Sequence, residues 1–497
     1  MVLIMSCSCN KEKKVEVNQQ EIEAAREEAL KKFTNLQKLV AEKTVKAPAE
    51  NNPAVLHRFN ADPAVLVFDD TVYIYCTNDS QQAEFSLGKQ DNGYNYINTL
   101  NVFSSKDLVN WTDCGIIKVA GPDGAAKWAR NSWAPAICTK KIDGKDKFFL
   151  YFADSANGIG VLSADSPAGP YIDPIGKALV SRDMPNCQDV YWLFDPAVLV
   201  DDDGKGYLYF GGGHQQEFIH PKSARCAALG DDMISLACDP IQIDPPFLFE
   251  DSGINKFGDT YYYSYCTNWQ DRTGVVADPM LPIAVIAYMT SKNPLGPFEF
   301  KGYTLENPGT IFGAWGNNHH WIFSFRGKNY IAYHAQIIEK TIGFEKGGYR
   351  NLMITDFEIN EDGSWPIQKA DKKGVAQSGS FNPYQTVPAA TMCYSRNMIV
   401  SSRQTLYPLK NGAYLCIKGV DFSKGASKVS VNVAQGHKGG SVEFRTGNFA
   451  SGTLLAKVDV NSETQAEAAF TVPAEKLCDL FITINGDVEL VDWVIEL

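Results

Sequence analysis

The chain is short of positive charge: 46 Lys and Arg stand against 58 Asp and Glu, a net of −12 with a pI near 5.2. Nucleic acid and anionic membrane surfaces need dense basic clusters, so both are excluded as partners and a neutral one is favoured. Long apolar runs are missing too, and no stretch beyond the first residues could span a bilayer. The 12 cysteines form no CxxC pair and no His/Cys spacing suited to zinc. Cys76 and Cys266 lie in apolar strand-like runs and read as buried thiols, whereas Cys226 and Cys238 could pair in an exported protein. No Asp-rich loop of the EF-hand type occurs, and DDDGKG at 201–206 reads as a hairpin turn.

Aromatic residues, by contrast, make up 12% of the chain, with 9 Trp and 22 Tyr. Flat rings cover the apolar faces of sugars, although most serve the core of a β protein. A length of 497 residues implies roughly two to four domains. The start, MVLIMSCSCN, is a short apolar stretch running into Ile4-Met5-Ser6-Cys7. That pattern resembles a lipoprotein cleavage site over residues 1–10, which predicts an exported bacterial protein, periplasmic or at the cell surface, with a lipid anchor on Cys7. Residues 11–50 read as a helical spacer, because Ile22, Ala25, Ala29, Phe33, Leu36 and Val40 recur at three- and four-residue steps. Two prolines in APAENNPAV end it.

From residue 55 short alternating strands separated by Asp, Gly and Asn predict an all-β fold. The hexapeptide DPAVLV occurs twice, headed by Asp62 and Asp195, and weaker copies begin at Trp133, Glu250 and His319. Copies roughly 64 residues apart each hold one four-stranded blade, so residues 55–375 predict a five-bladed β-propeller. The copies place Asp62, Asp195 and Glu250 at equivalent positions converging on the axis. Clustered carboxylates are costly unless one is kept protonated or a cation is near. Glycosidic bond hydrolysis uses such a cluster, one carboxylate activating water while a carboxylic acid protonates the leaving oxygen.

The order of motifs resembles glycoside hydrolase family 43: NADPAV, SSKDLVNWTDCG, SWAPAI with GVLSADSPAGPY, FDPAVLVDDDGKGYLYFG, LFEDSGINKFGDTYYYSY, and NNHHWIFSFRGKNYIAYH with YRNLMITDFEINEDGSWP. The resemblance implies a five-bladed propeller that inverts the anomeric centre. It makes Asp62 the general base, Asp195 the carboxylate that tunes and orients the acid, and Glu250 the general acid. Glu250-Asp251-Ser252 departs from the family's usual Glu-Gly or Glu-Ala, which leaves Asp251 as a competitor. The resemblance also puts His319 or His320, with His319 preferred, near the axis where the family often holds a calcium ion, and Arg350 in the substrate subsite near the acid. No organic cofactor is implied. Trp133, Trp192, Trp269 and Trp315, with Trp128, flank inner strands where their rings could stack on sugar, whereas Trp111 reads as packing between blades.

After a linker at 376–389, residues 390–497 resemble a family 6 carbohydrate-binding module, a β-sandwich. Tyr414 can supply one sugar-binding ring. The later loop NSETQAEAAF lacks the expected Trp, and Leu490 and Val491 stand where an Asn is usual. A brace for the propeller is favoured over a glycan binder. The function implied is release of arabinofuranosyl or xylosyl units from plant hemicellulose. The alternatives are an endo-arabinanase or galactan-cleaving enzyme, and a glycan-binding lipoprotein without turnover. A retaining fructan-processing propeller is disfavoured, since its Asn-Asp-Pro-Asn and Glu-Cys motifs are missing.

Overall fold

A computed structural model describes residues 19–497; Cys7 and the lipoprotein-like segment lie outside the described residues. Five antiparallel sheets form the first domain, and the strand that heads each is Ala61–Phe68, Trp133–Ile142, Ala197–Val200, Leu248–Phe257 or His320–Phe325. Each of these strands packs on the next, and the fifth packs on the first, which closes a ring of five blades around one axis. Tight turns join the strands. Asp69 and Asp70 adopt φ of 48° and 51° in the first hairpin, and Asp201 closes the DDDGKG turn through its N–H to the Lys205 carbonyl at 2.9 Å.

The blades are not uniform. Blade five has three strands, and blade one gains a fifth, Thr391–Met392, contributed from beyond the propeller. Trp111 is buried in a cluster shared by Val65 and Ile74 of blade one and Phe323 and Tyr330 of blade five, and its Nε1 donates to the Leu108 carbonyl. It packs between blades, as its sequence context suggested. All ten cysteines of the described residues are free, Cys226 and Cys238 included.

The spacer is two helices rather than one, α1 (Gln19–Leu30) and α2 (Asn35–Lys43). Thr34 and Gln37 form a capping box that starts a new helix: the Gln37 N–H donates to Thr34 Oγ1 at 3.1 Å, and the Thr34 N–H to Gln37 Oε1 at 2.9 Å. Helix α1 is tied to the C-terminal domain by Arg26, whose Nη2 donates to the Gly486 carbonyl at 2.8 Å. Helix α2 sends Leu36 and Val40 into a cluster with Phe59 and Ile338 of the propeller domain and Tyr414 of the C-terminal domain.

That last domain is a β-sandwich of two antiparallel sheets enclosing Val429, Phe444 and Trp493. The segment expected as a linker is stitched into it. Phe381 donates its N–H to Gly419 at 2.8 Å, and Val387–Pro388 pairs with the final strand. Val387 and Phe381 bury against the sandwich core, which is why the stretch is not a free tether.

Candidate active site

The heads of the inner strands share one backbone irregularity. In blade one Ala61 pairs with Thr77 and Ala64 with Tyr75, so Asp62 and Pro63 together face Cys76. The same two-against-one bulge falls at Ala134-Pro135 in blade two and at Asp251-Ser252 in blade four. The first bulge residue turns left-handed: Asp62 has φ of 47°, Ala134 28°, Asp195 47° and Asp251 67°. Bulges re-aim side chains, and aspartate tolerates this conformation better than most residues.

This register corrects the alignment expected from the repeats. Asp251, not Glu250, is the counterpart of Asp62 and Asp195, while Glu250 matches Ala61 and Trp133. Ser252 stands where the other bulges carry proline, so the motif that marks the position is lost in blade four.

His319 is the hub of the cluster. Its Nδ1 lies 3.6 Å from Asp62 Oδ1 and 3.8 Å from Asp195 Oδ2, and its Nε2 lies 3.1 Å from Asp251 Oδ1. Asp251 is fully enclosed and spent on histidines, with its Oδ2 2.6 Å from His320 Nδ1 and its Oδ1 accepting the His320 N–H at 3.2 Å. Its own N–H donates to Asp195 Oδ2 at 3.0 Å. Glu250 remains 7% exposed, and its Oε1 has no hydrogen-bond partner. Of the two neighbouring acids, Glu250 is therefore the one free to meet a substrate.

Arg350 is buried and bonded to Asp62, with Nη1 2.7 Å from Oδ1, and its charge also acts on Glu250, against the rise of that pKa. Its place at the start of the strand Asn351–Asp356 aims it across the ring closure into blade one. Asp79 grips it from behind: Nε and Nη2 donate to the two carboxylate oxygens at 2.9 Å each, and the Arg350 N–H adds a third bond at 3.0 Å. The ring of Tyr94 lies 5.0 Å from the guanidinium. Neither Asp79 nor Tyr94 was identified from sequence. A signal existed for Asp79, because Cys-Thr-Asn recurs at 76–78 and 266–268 and places Asp79 and Trp269 at matching strand ends.

The carboxyls are driven apart electrostatically. Burial alone would raise the Asp62 pKa, but the Arg350 charge, aided by His334 and His319, holds it well below the usual carboxylate range. The Asp62 N–H donates to His334 Nδ1 at 3.1 Å, which ties this histidine to the base. Glu250 is pushed well above its ordinary value by burial and then by the charges of Asp195 and Asp62. Asp195 is also raised, by burial and by Asp62, while the Asp251 N–H opposes that rise. Asp195 accepts a hydrogen bond that favours its charged form and Glu250 Oε1 accepts none, so the environment favours a shared proton on Glu250 over Asp195.

The tryptophans divide. Trp133 is half-buried and donates Nε1 to the Tyr94 carbonyl at 3.2 Å. Trp192 packs edge-on against Phe249, the residue before Glu250, with ring centroids 4.9 Å apart. Trp269 and Trp315 meet at 6.4 Å, and Trp315 is 49% exposed. Trp128 is turned away, stacked on Phe152 with its Nε1 on Asp173. For the expected calcium, His319 offers one free nitrogen, Nδ1, because Nε2 faces Asp251. Among the described residues no group of three or more His, Cys, Asp or Glu forms a metal ligand set. Calcium takes six to eight oxygens, so an ion here would depend on water for most of its shell.

The model of the glycosyl hydrolases family 43 matches residues 51–366. An arabinoxylan arabinofuranohydrolase of Paenibacillus polymyxa is 43% identical over 439 residues, covering 84% of this chain and 68% of that protein. Its namesake from Bacillus subtilis (strain 168) is 43% identical over 440 residues, covering 84% and 85%. The crystal structure of a family 43 arabinoxylan arabinofuranohydrolase from Bacillus subtilis in complex with cellotetraose superposes with a TM-score of 0.86 at 40% identity, over 92% of this chain and 99% of that one. With carboxyl groups of opposed pKa buried at the axis of a five-bladed propeller, the chain is a glycosidase and belongs to the glycosyl hydrolases family 43.

Proposed function

We propose that the protein is an inverting glycosidase that releases arabinofuranosyl or xylosyl units from plant hemicellulose, arabinoxylan first among them. The observation that carries the mechanism is the opposed displacement of two carboxyl pKa values, Asp62 downward and Glu250 upward. Asp62, ionised at neutral pH, takes a proton from a water whose oxygen attacks the anomeric carbon. As the glycosidic C–O bond breaks, Glu250 gives its proton to the departing oxygen. Asp195, whose charged form the Asp251 N–H favours, raises the Glu250 pKa and so helps hold the proton there. Arg350, clamped by Asp79, keeps Asp62 charged and fixed. The sugar assignment is supported by the two relatives named for arabinoxylan at 43% identity.

Proton NMR of the first-formed sugar, with aryl arabinofuranoside and aryl xyloside as substrates, tests the reading. Release of the inverted anomer is expected. A retained anomer would overturn the base assignment, and absence of hydrolysis of either substrate would overturn the enzymatic reading.

A further inference from the structure

Two large apolar side chains stand in water on the face of the propeller that carries the carboxylates. Phe85 is 61% exposed and Tyr96 is 49% exposed. Their rings are in tilted contact, with centroids 4.1 Å apart and planes 31° apart. Exposed aromatic area of this kind, held as a pair instead of scattered singly, marks an interaction surface.

Both residues are wired to the catalytic centre by short, rigid connections. Phe85 lies on helix α3 (Asp79–Ser86), whose first residue is the Asp79 that clamps Arg350. Six helical steps separate them, about 9 Å along the axis. Tyr96 lies on the loop of residues 92–98, and its N–H donates to Gln82 Oε1 of the same helix at 3.1 Å. That loop also carries Tyr94, whose ring covers Arg350. Tyr94 is held at φ of 59°, its carbonyl accepting Trp133 Nε1 and its N–H donating to Asn92 Oδ1 at 3.1 Å. A strained tyrosine so firmly pinned marks a loop shaped for use. One loop therefore presents a ring inward to the base and another outward to the Phe85 platform.

We infer that the Phe85–Tyr96 pair is a subsite for the backbone of the polysaccharide, taking an uncharged pyranose unit one or two sugars beyond the bond that is cleaved. The inference rests on the hemicellulose reading above. An uncharged occupant is indicated because the pair offers ring faces, which accept the C–H face of a sugar, and because the neighbouring Asn95 is exposed and carries an amide suited to hydroxyls. Continuity with the catalytic centre through α3 and the 92–98 loop argues for the substrate itself as the occupant.

The test is a Phe85→Ala/Tyr96→Ala double variant, read as the ratio of kcat/KM on polymeric arabinoxylan to kcat/KM on an aryl arabinofuranoside. The ratio is expected to fall roughly three- to tenfold, through KM on the polymer. Restoration by Phe85→Tyr/Tyr96→Phe, which keeps both rings, is expected and excludes a merely disturbed fold. A ratio that does not move, or one lost equally in the ring-preserving variant, would overturn the inference. Affinity electrophoresis through gels containing soluble arabinoxylan separates this outcome from failure of the catalytic reading. The double variant must migrate faster than the unaltered protein whether or not either hydrolyses the polymer, and equal migration would remove the subsite.

Discussion

The propeller axis buries charge, and the corresponding sugar-like face of the sandwich buries aromatic carbon. At the axis Asp62, Asp195, Asp251 and Glu250 crowd around His319 and Arg350, all nearly enclosed. On the sandwich, Tyr414 stacks on Phe449 at 3.9 Å with planes 8° apart, is 7% exposed, and shares a cluster with Leu36 and Val40 of α2. Buried ionisable groups resist folding unless each is paired, so a cluster left with an unpartnered carboxyl oxygen is retained for chemistry. Buried rings stabilise by removing apolar area from water and require no function. The Tyr414 ring that the sequence offered for sugar is covered by Phe449 and α2, a packing that suits a brace for the propeller.

The sharpest way to break this contrast is to alter one residue on each side. Glu250→Gln is expected to lower kcat about 10²- to 10⁴-fold in steady-state assays, whereas Tyr414→Ala is expected to leave polymer affinity in place. Loss of polymer binding in the Tyr414 variant would restore a glycan-binding role to the sandwich. Leu36→Ala acts on the brace alone. It should cost about 2–5 kcal/mol in denaturant unfolding monitored at the propeller, with the pH profile unmoved. If only the sandwich lost stability, the two domains would not be coupled through α2.

Smaller effects probe the electrostatics of the axis. In the proposed mechanism activity requires Asp62 ionised, so it is lost as pH falls through a pKa that Arg350 keeps low; Arg350→Met should move this acid limb to higher pH by roughly 1–3 units. Activity also requires Glu250 protonated, so it is lost as pH rises through a raised pKa; Asp195→Asn removes a negative neighbour and should move the alkaline limb down. Profiles of kcat/KM against pH measure both shifts. An alkaline limb unchanged in the Asp195 variant would remove its tuning role.

The repeated DPAVLV was enough to predict the ring, because Asp-Pro followed by Val-Leu-Val writes both the bulge and the inner strand in one local motif. Blade four was harder to align. Its bulge carries Asp251-Ser252, and without proline the copies slide by one residue, which set Glu250 level with Asp62 although the backbone register makes it the counterpart of Ala61. Trp128 flanks an inner strand yet turns into the core between blades one and two. The single long helix read from its apolar steps became two because Thr34 and Gln37 satisfy a helix start of their own.

What the sequence by itself determined is local and repetitive: strands, hairpin turns, five copies of a blade and the residue types at their heads. The tertiary structure alone decided which carboxyl pKa is lowered and which is raised. Asp62 and Glu250 share the same chemistry, and their pKa values part because Arg350, itself held by Asp79, arrives beside Asp62 from the far end of the propeller. Charge acts through space with the inverse of distance, and distance in space across a closed ring is unrelated to distance along the chain.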